Sequence, residues 1–189
     1  MKLYKDCGIC FLVGIENQSA VDYSMVTRMM MYDAMNYAAQ DAKRRKHKGR
    51  KLRKKKKRLP VISCVLYYSY QKRWHGPRTL FEGLKLPTEL ENFVNNYKIH
   101  VIEVAWLSDA ERRQLKGNFR ILADALYELR TTGTITGSKR RILHVKALLL
   151  ALSAITGNST FEKIQFEHLE KETMTMRNLM EKHNWHVNS

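Results

Sequence analysis

The apolar positions divide the chain into segments of different period. Ile9 to Ile15 reads I-C-F-L-V-G-I, an unbroken run of the kind a strand shows when both its faces are covered. It ends on Glu16-Asn17-Gln18. Side chains two apart on a strand point to the same side, so Glu16 and Gln18 share a face and Asn17 turns away. From Met25 the period becomes helical. Met25, Val26, Met29, Met30 and Tyr37 fall on one broad face, with Ala34 and Ala38 beside them, and Asp22 or Ser24 can cap the start. Pro60 precedes a second apolar strand, Val61 to Tyr68. Ser69 to Pro77 reads as a loop containing Trp74, and Leu84 to Tyr97 as short helical pieces around Pro87. Lys98 to Leu107 is a third strand that alternates at first. The remainder is helical: Asp109 to Arg130, Leu143 to Ile155, and a looser Glu162 to His183. The order β-α-β-loop-β-α-α predicts an α/β sandwich with a mixed sheet.

Charge changes this picture. The formal balance is +16, from 34 Lys and Arg against 18 Asp and Glu. Lys43, Arg44, Arg45, Lys46, Lys48, Arg50, Lys51, Arg53, Lys54, Lys55, Lys56, Lys57 and Arg58 supply 13 of these cations, which leaves +3 for the rest of the chain. A nearly neutral body with one basic segment points to a polyanionic partner, nucleic acid before membrane. The run either continues the first helix or frays from it, since like charges at helical spacing repel. Only Leu52 is apolar within it, so it offers phosphate contacts without base stacking or base reading. The dull reading of such a run is a solvated stretch, but this density of charge exceeds what solubility requires.

The remaining signals narrow the class. No segment reaches the ~18 uninterrupted apolar residues of a membrane span. Met1 to Leu12 has two lysines but no adequate apolar core for a secretory signal. Cys7, Cys10 and Cys64 are read as free thiols of a reducing compartment rather than disulfide partners. Cys7-Gly-Ile-Cys10 has a zinc-like spacing, but a structural zinc needs a second pair, so core thiols are the better reading. His144 opens an apolar helix as a cap or packing residue, and Met29-Met30-Met31 is core filling.

A strand ending in Glu-x-Gln and followed by a helix resembles the core of the PD-(D/E)XK nucleases, a branch of which has Gln in place of Lys. The segments "GIENQSAVDYSM", "RMMMYDAMNYAAQ", "LPVISCVLYYSYQKRWHGPRTL", "FVNNYKIHVIEVAWL", "FRILADALYELR" and "ILHVKALLLALSAITGNSTFEKI" occur in the order expected of the recombination-promoting nuclease and transposase family. The resemblance covers almost the whole chain. It implies a restriction-endonuclease-like sandwich, with a nuclease-like core over 1–130 that contains the basic segment 43–58, and a helical extension over 131–189. It implies a bacterial, cytoplasmic, Mg²⁺-dependent DNA endonuclease, with Mn²⁺ as an alternate ion. Glu16 would be the metal ligand, Gln18 would orient the attacking water, and the Asn17 carbonyl could be a further ligand. Arg28, Tyr32 and Gln40 would support the site from the following helix.

The family's second metal-binding acid normally lies on the preceding strand. Here Asp6 is the sole acid upstream of Glu16, and it reads as a hairpin turn residue more than as a ligand. The expectation is therefore a chain shortened at its N-terminus, inactive or nearly so, with an exposed strand edge that favours self-association. Two rivals stay open. One is a non-catalytic nucleic-acid-binding remnant of the same fold that uses the basic segment. The other is an RNA-associated basic protein of separate descent.

Overall fold

The computed structural model describes residues 2–6, 9–46, 58–162 and 174–182. Its elements are strands β1 (Lys2–Asp6) and β2 (Ile9–Gln18), helix α1 (Met25–Lys46), strands β3 (Val61–Tyr67) and β4 (His100–Glu103), and helices α2 (Asp109–Gln114), α3 (Gly117–Thr132), α4 (Val145–Thr156) and α5 (Met176–Lys182). The sheet has the order β1-β2-β3-β4. β1 and β2 form an antiparallel hairpin in which Lys2 faces Val13 and Asp6 faces Ile9. β2, β3 and β4 run parallel, so the sheet is mixed as predicted.

The chain divides into two compact units. The first comprises residues 1–66 and 74–102, the second 67–73 and 103–189. The division expected at residue 130 falls inside α3 rather than in a linker.

In the first unit the buried stripe of α1 is narrower than its periodicity suggested. Met25, Val26 and Met29 are buried, and Asp33 continues the stripe, whereas Met30, Ala34 and Ala38 are exposed. The row 25, 29 and 33 faces the packed side, and residues 30 and 34 lie about 100° round the helix from 29 and 33. β2 departs from the reading as well. Expected to be covered on both faces, it is half-buried from Cys10 to Gly14, and Ile15 is 53% exposed. Val65, Trp74 and Ile99 complete the core of this unit. Residues 78–80 pair with 97–99, through Leu80 N–H to the Tyr97 carbonyl at 2.8 Å and Ile99 N–H to the Arg78 carbonyl at 2.9 Å.

The second unit is helical, with Leu126, Leu149, Leu152, Phe161, Met176 and Leu179 fully buried. The single helix expected over Asp109 to Arg130 is broken. Lys116 is extended and Gly117 has φ 57°, so α2 and α3 form separately. Ser108 starts α2 with a capping box shared with Glu111. The third strand is shorter than predicted, because Val104–Trp106 turns into a 3-10 helix directly after β4. Around the second unit's charged residues, Arg112 and Arg120 each donate from Nε to Asp124, at 3.1 and 2.7 Å. Both guanidinium groups are nearly buried, and that of Arg112 stacks 3.7 Å over the Tyr127 ring.

Candidate functional site

The end of β2 and the start of α1 bring four of the sequence-predicted residues together. β2 continues in extended form through Gln18, so Glu16 and Gln18 do share a side, and Gln18 Nε2 lies 3.4 Å from Glu16 Oε1. The chain then turns at Asp22. Its Oδ1 accepts from the backbone N–H of Ser24 at 2.8 Å and from the Ser24 hydroxyl at 2.6 Å. The Ser24 carbonyl accepts from Arg28 N–H and opens the helical ladder.

One turn into α1, Arg28 reaches back across this turn. Its Nη2 lies 2.6 Å from Glu16 Oε1 and its Nη1 lies 2.7 Å from Asp22 Oδ2. Hydrogen bonding to Tyr32 and to Asp22, together with the charge of Glu16, holds the Arg28 pKa above its ordinary value. The Ser24 hydrogen bonds, with help from Arg28, hold the Asp22 carboxyl below the usual carboxylate range. A cavity of about 220 Å³ opens beside this group and is lined by Gly14, Glu16, Met29, Tyr32 and Ser63 among others.

Asp6 is not brought to this site. It faces Ile9, which is seven residues before Glu16 on β2, a separation of about 23 Å at the ordinary strand rise. Asp6 and Glu16 therefore cannot serve one ion. The second acid beside Glu16 is Asp22, which sequence reasoning treated only as a cap. No periodicity marked it, because Asp22 lies in the turn before α1.

A Mg²⁺ ion wants several oxygens in near-octahedral array at 2.0–2.1 Å. Among the described residues no group of three or more His, Cys, Asp or Glu side chains is placed to hold a metal. The Oε1 atom of Glu16 is already held by a guanidinium. The residues present therefore do not fit a divalent ion at Glu16.

Gln40, the third supporting residue, works elsewhere. Its side-chain amide brackets Leu59, donating to the carbonyl at 3.1 Å and accepting from the N–H at 2.8 Å. Next to it Asp41 takes both arms of Arg58 at 2.9 Å, and Tyr37 Oη accepts from Val61 N–H at 3.1 Å. The helical segment ending at Lys46 and the strand beginning at Val61 are thus tied together. Lys43, Arg44, Arg45 and Lys46 belong to α1. Lys48, Arg50, Lys51, Arg53, Lys54, Lys55, Lys56 and Lys57 lie outside the described residues, as does Cys7. Cys10 and Cys64 are free thiols, and burial pushes the Cys64 pKa up.

Sequence reasoning also missed Asp33. This buried acid accepts from the Ser63 hydroxyl and, at 2.5 Å, from the Tyr97 hydroxyl. Burial and the neighbouring carboxylate hold the Tyr97 phenol well above its ordinary range. The three line a second cavity of about 450 Å³, together with Lys98 and His100. Asp33 lies four residues after Met29 and four before Tyr37, so an acid inside the apolar stripe was the signal.

A family model described as putative transposase, YhgA-like, matches residues 4–145. The chain belongs to the YhgA-like transposase family. The match runs from β1 into the first residue of α4, and so takes in every residue of the Glu16 cluster, the Gln40 bracket and the Asp33 group. No curated protein and no solved structure matches the chain. No helix among the described residues is long and apolar enough to cross a membrane.

Proposed function

We propose that this chain is a DNA-binding member of the transposase family, built on the PD-(D/E)XK pattern, and that it holds DNA rather than cutting it. The observation that carries this reading is the engagement of Glu16. Its carboxylate oxygen is bonded by Arg28 at 2.6 Å, and the acid of β1, Asp6, stands at the far end of the hairpin. Phosphodiester hydrolysis of the nuclease type needs two acids converging on one cation. Affinity comes from the basic segment 43–58, which contacts the phosphate backbone without reading sequence.

A second reading, Mg²⁺-dependent endonuclease activity at Glu16 and Gln18, is favoured by their shared side of β2, which is the arrangement that chemistry uses. One experiment separates the two. The purified chain is titrated into labelled duplex DNA in EDTA, then incubated with supercoiled plasmid in Mg²⁺ and in Mn²⁺. Binding in EDTA without nicking is expected. Nicking that disappears in Glu16→Gln would establish the second reading, and absence of binding would overturn both.

A further inference from the structure

The guanidinium of Arg28 lies between two carboxylates from different elements. Glu16 comes from β2, and Asp22 from the turn before α1. Both contacts are short and charge-assisted, and such bonds are the strong ones. Asp22 is also fixed independently of Arg28, by two bonds from Ser24, and the Gln18 amide lies 3.4 Å from the Glu16 oxygen that Arg28 holds. The two acids face a common point, and a side-chain cation fills it.

The charge balance shows what this point would accept. Two carboxylates and one guanidinium leave a net charge of −1, which repels a phosphate and attracts a further cation. Arg28 is about one-third exposed, so water and ions reach the cluster. A divalent ion gains oxygen ligands there only by displacing a group held by three partners, Glu16, Asp22 and Tyr32.

We infer that Arg28 is the resident cation of this site: it occupies the place between Glu16 and Asp22 that a divalent ion would need, and it closes a latent two-carboxylate cation site. The native chain then takes up no divalent ion at Glu16, and DNA is received by the basic segment rather than here. This inference rests on the reading of the β2 end as a site of the nuclease pattern, and it is tested apart from DNA binding.

The probe is Mn²⁺, followed by water-proton relaxation and by thermal melting of the full chain. Native protein and Arg28→Lys are expected to show no Glu16-dependent Mn²⁺ binding and no rise in Tm. Arg28→Gln leaves the two acids facing each other without a counter-charge. It is expected to melt lower than native at neutral pH and to recover in Mn²⁺, because a ligand that binds only the folded state stabilises it. Its Mn²⁺ affinity should be at least tenfold above native. Adding Asp22→Asn should abolish the recovery. The inference is overturned if native protein binds Mn²⁺ and loses it in Glu16→Gln, an arm that needs no Arg28 variant to fold. It is equally overturned if folded Arg28→Gln binds none. A chain that fails to bind DNA in the parallel titration would sink the DNA-binding reading and leave the Mn²⁺ result standing.

Discussion

Asp22 carries two jobs through its two oxygens: one shapes the turn into α1, the other meets Arg28. Its carboxyl is depressed in the folded chain, chiefly by Ser24 and then by Arg28. A folded pKa below the unfolded value means the unfolded state binds protons more readily as pH falls. The stabilisation is therefore fully present above the unfolded value near 3.8 and is lost as pH drops through the folded one. Asp22→Asn should melt below the native chain at pH 7, and the gap should narrow as pH falls below 3.8; a gap independent of pH would show that the charge does not matter. At this scale the sequence was partly legible. Glu16 and Gln18 could be paired from strand period alone, and Arg28 with Tyr32 from helical spacing. That Asp22 joins them was not, because the turn that brings residue 22 beside residue 16 has no periodicity to read.

At the scale of elements, the breaks were hidden more than the elements. Asp109 to Arg130 reads as one helix because Gly117 costs a helix only about 1 kcal/mol and is often tolerated. Here it takes a positive φ, and the chain bends so that Arg112 of α2 and Arg120 of α3 meet at Asp124. Two nearly buried guanidinium groups depend on that one carboxylate, with a more distant share from Asp109. Asp124→Ala should cost about 3–5 kcal/mol, since it leaves buried cations without their counter-charge. Chemical denaturation measures it, and a loss under 1 kcal/mol would show that Asp109 and solvent suffice. A smaller site lies after α3. The Glu128 carboxylate accepts from the N–H groups of Thr136 and Gly137, and Gly137 has φ 83°. A Cβ there would stand 2.7 Å from the Arg177 backbone nitrogen, so Gly137→Ala should destabilise the second unit through both strain and contact.

For the whole molecule, the charge written in the sequence yields the clearest prediction for the proposed DNA binding. Replacing Lys48, Arg50, Lys51, Arg53, Lys54, Lys55, Lys56 and Lys57 with serine keeps the chain length and removes most of the basic run. The slope of log K against log salt is about −0.9 per phosphate neutralised on duplex DNA, so loss of about five contacts should flatten it by four or five. An unchanged slope would assign the DNA contacts to other parts of the chain. The unit boundary, by contrast, could not be read from composition. It runs through the ends of β3 and β4, where apolar strand continues without a linker, and residues 67–73 join the second unit from within the first unit's span.

The bracket of Gln40 on Leu59, with Asp41 on Arg58 and Tyr37 on Val61, has a bearing on how such a chain can change. Gln40 and Asp41 on α1 are thereby held beside Arg58 and Leu59. Adding residues to a flexible connection between two points already fastened costs little, about 0.6 kcal/mol for each doubling of length. Changes of charge between these two fastened points need not disturb the bonds that fasten them, so the body that carries Glu16 can stay as it is while the basic run varies.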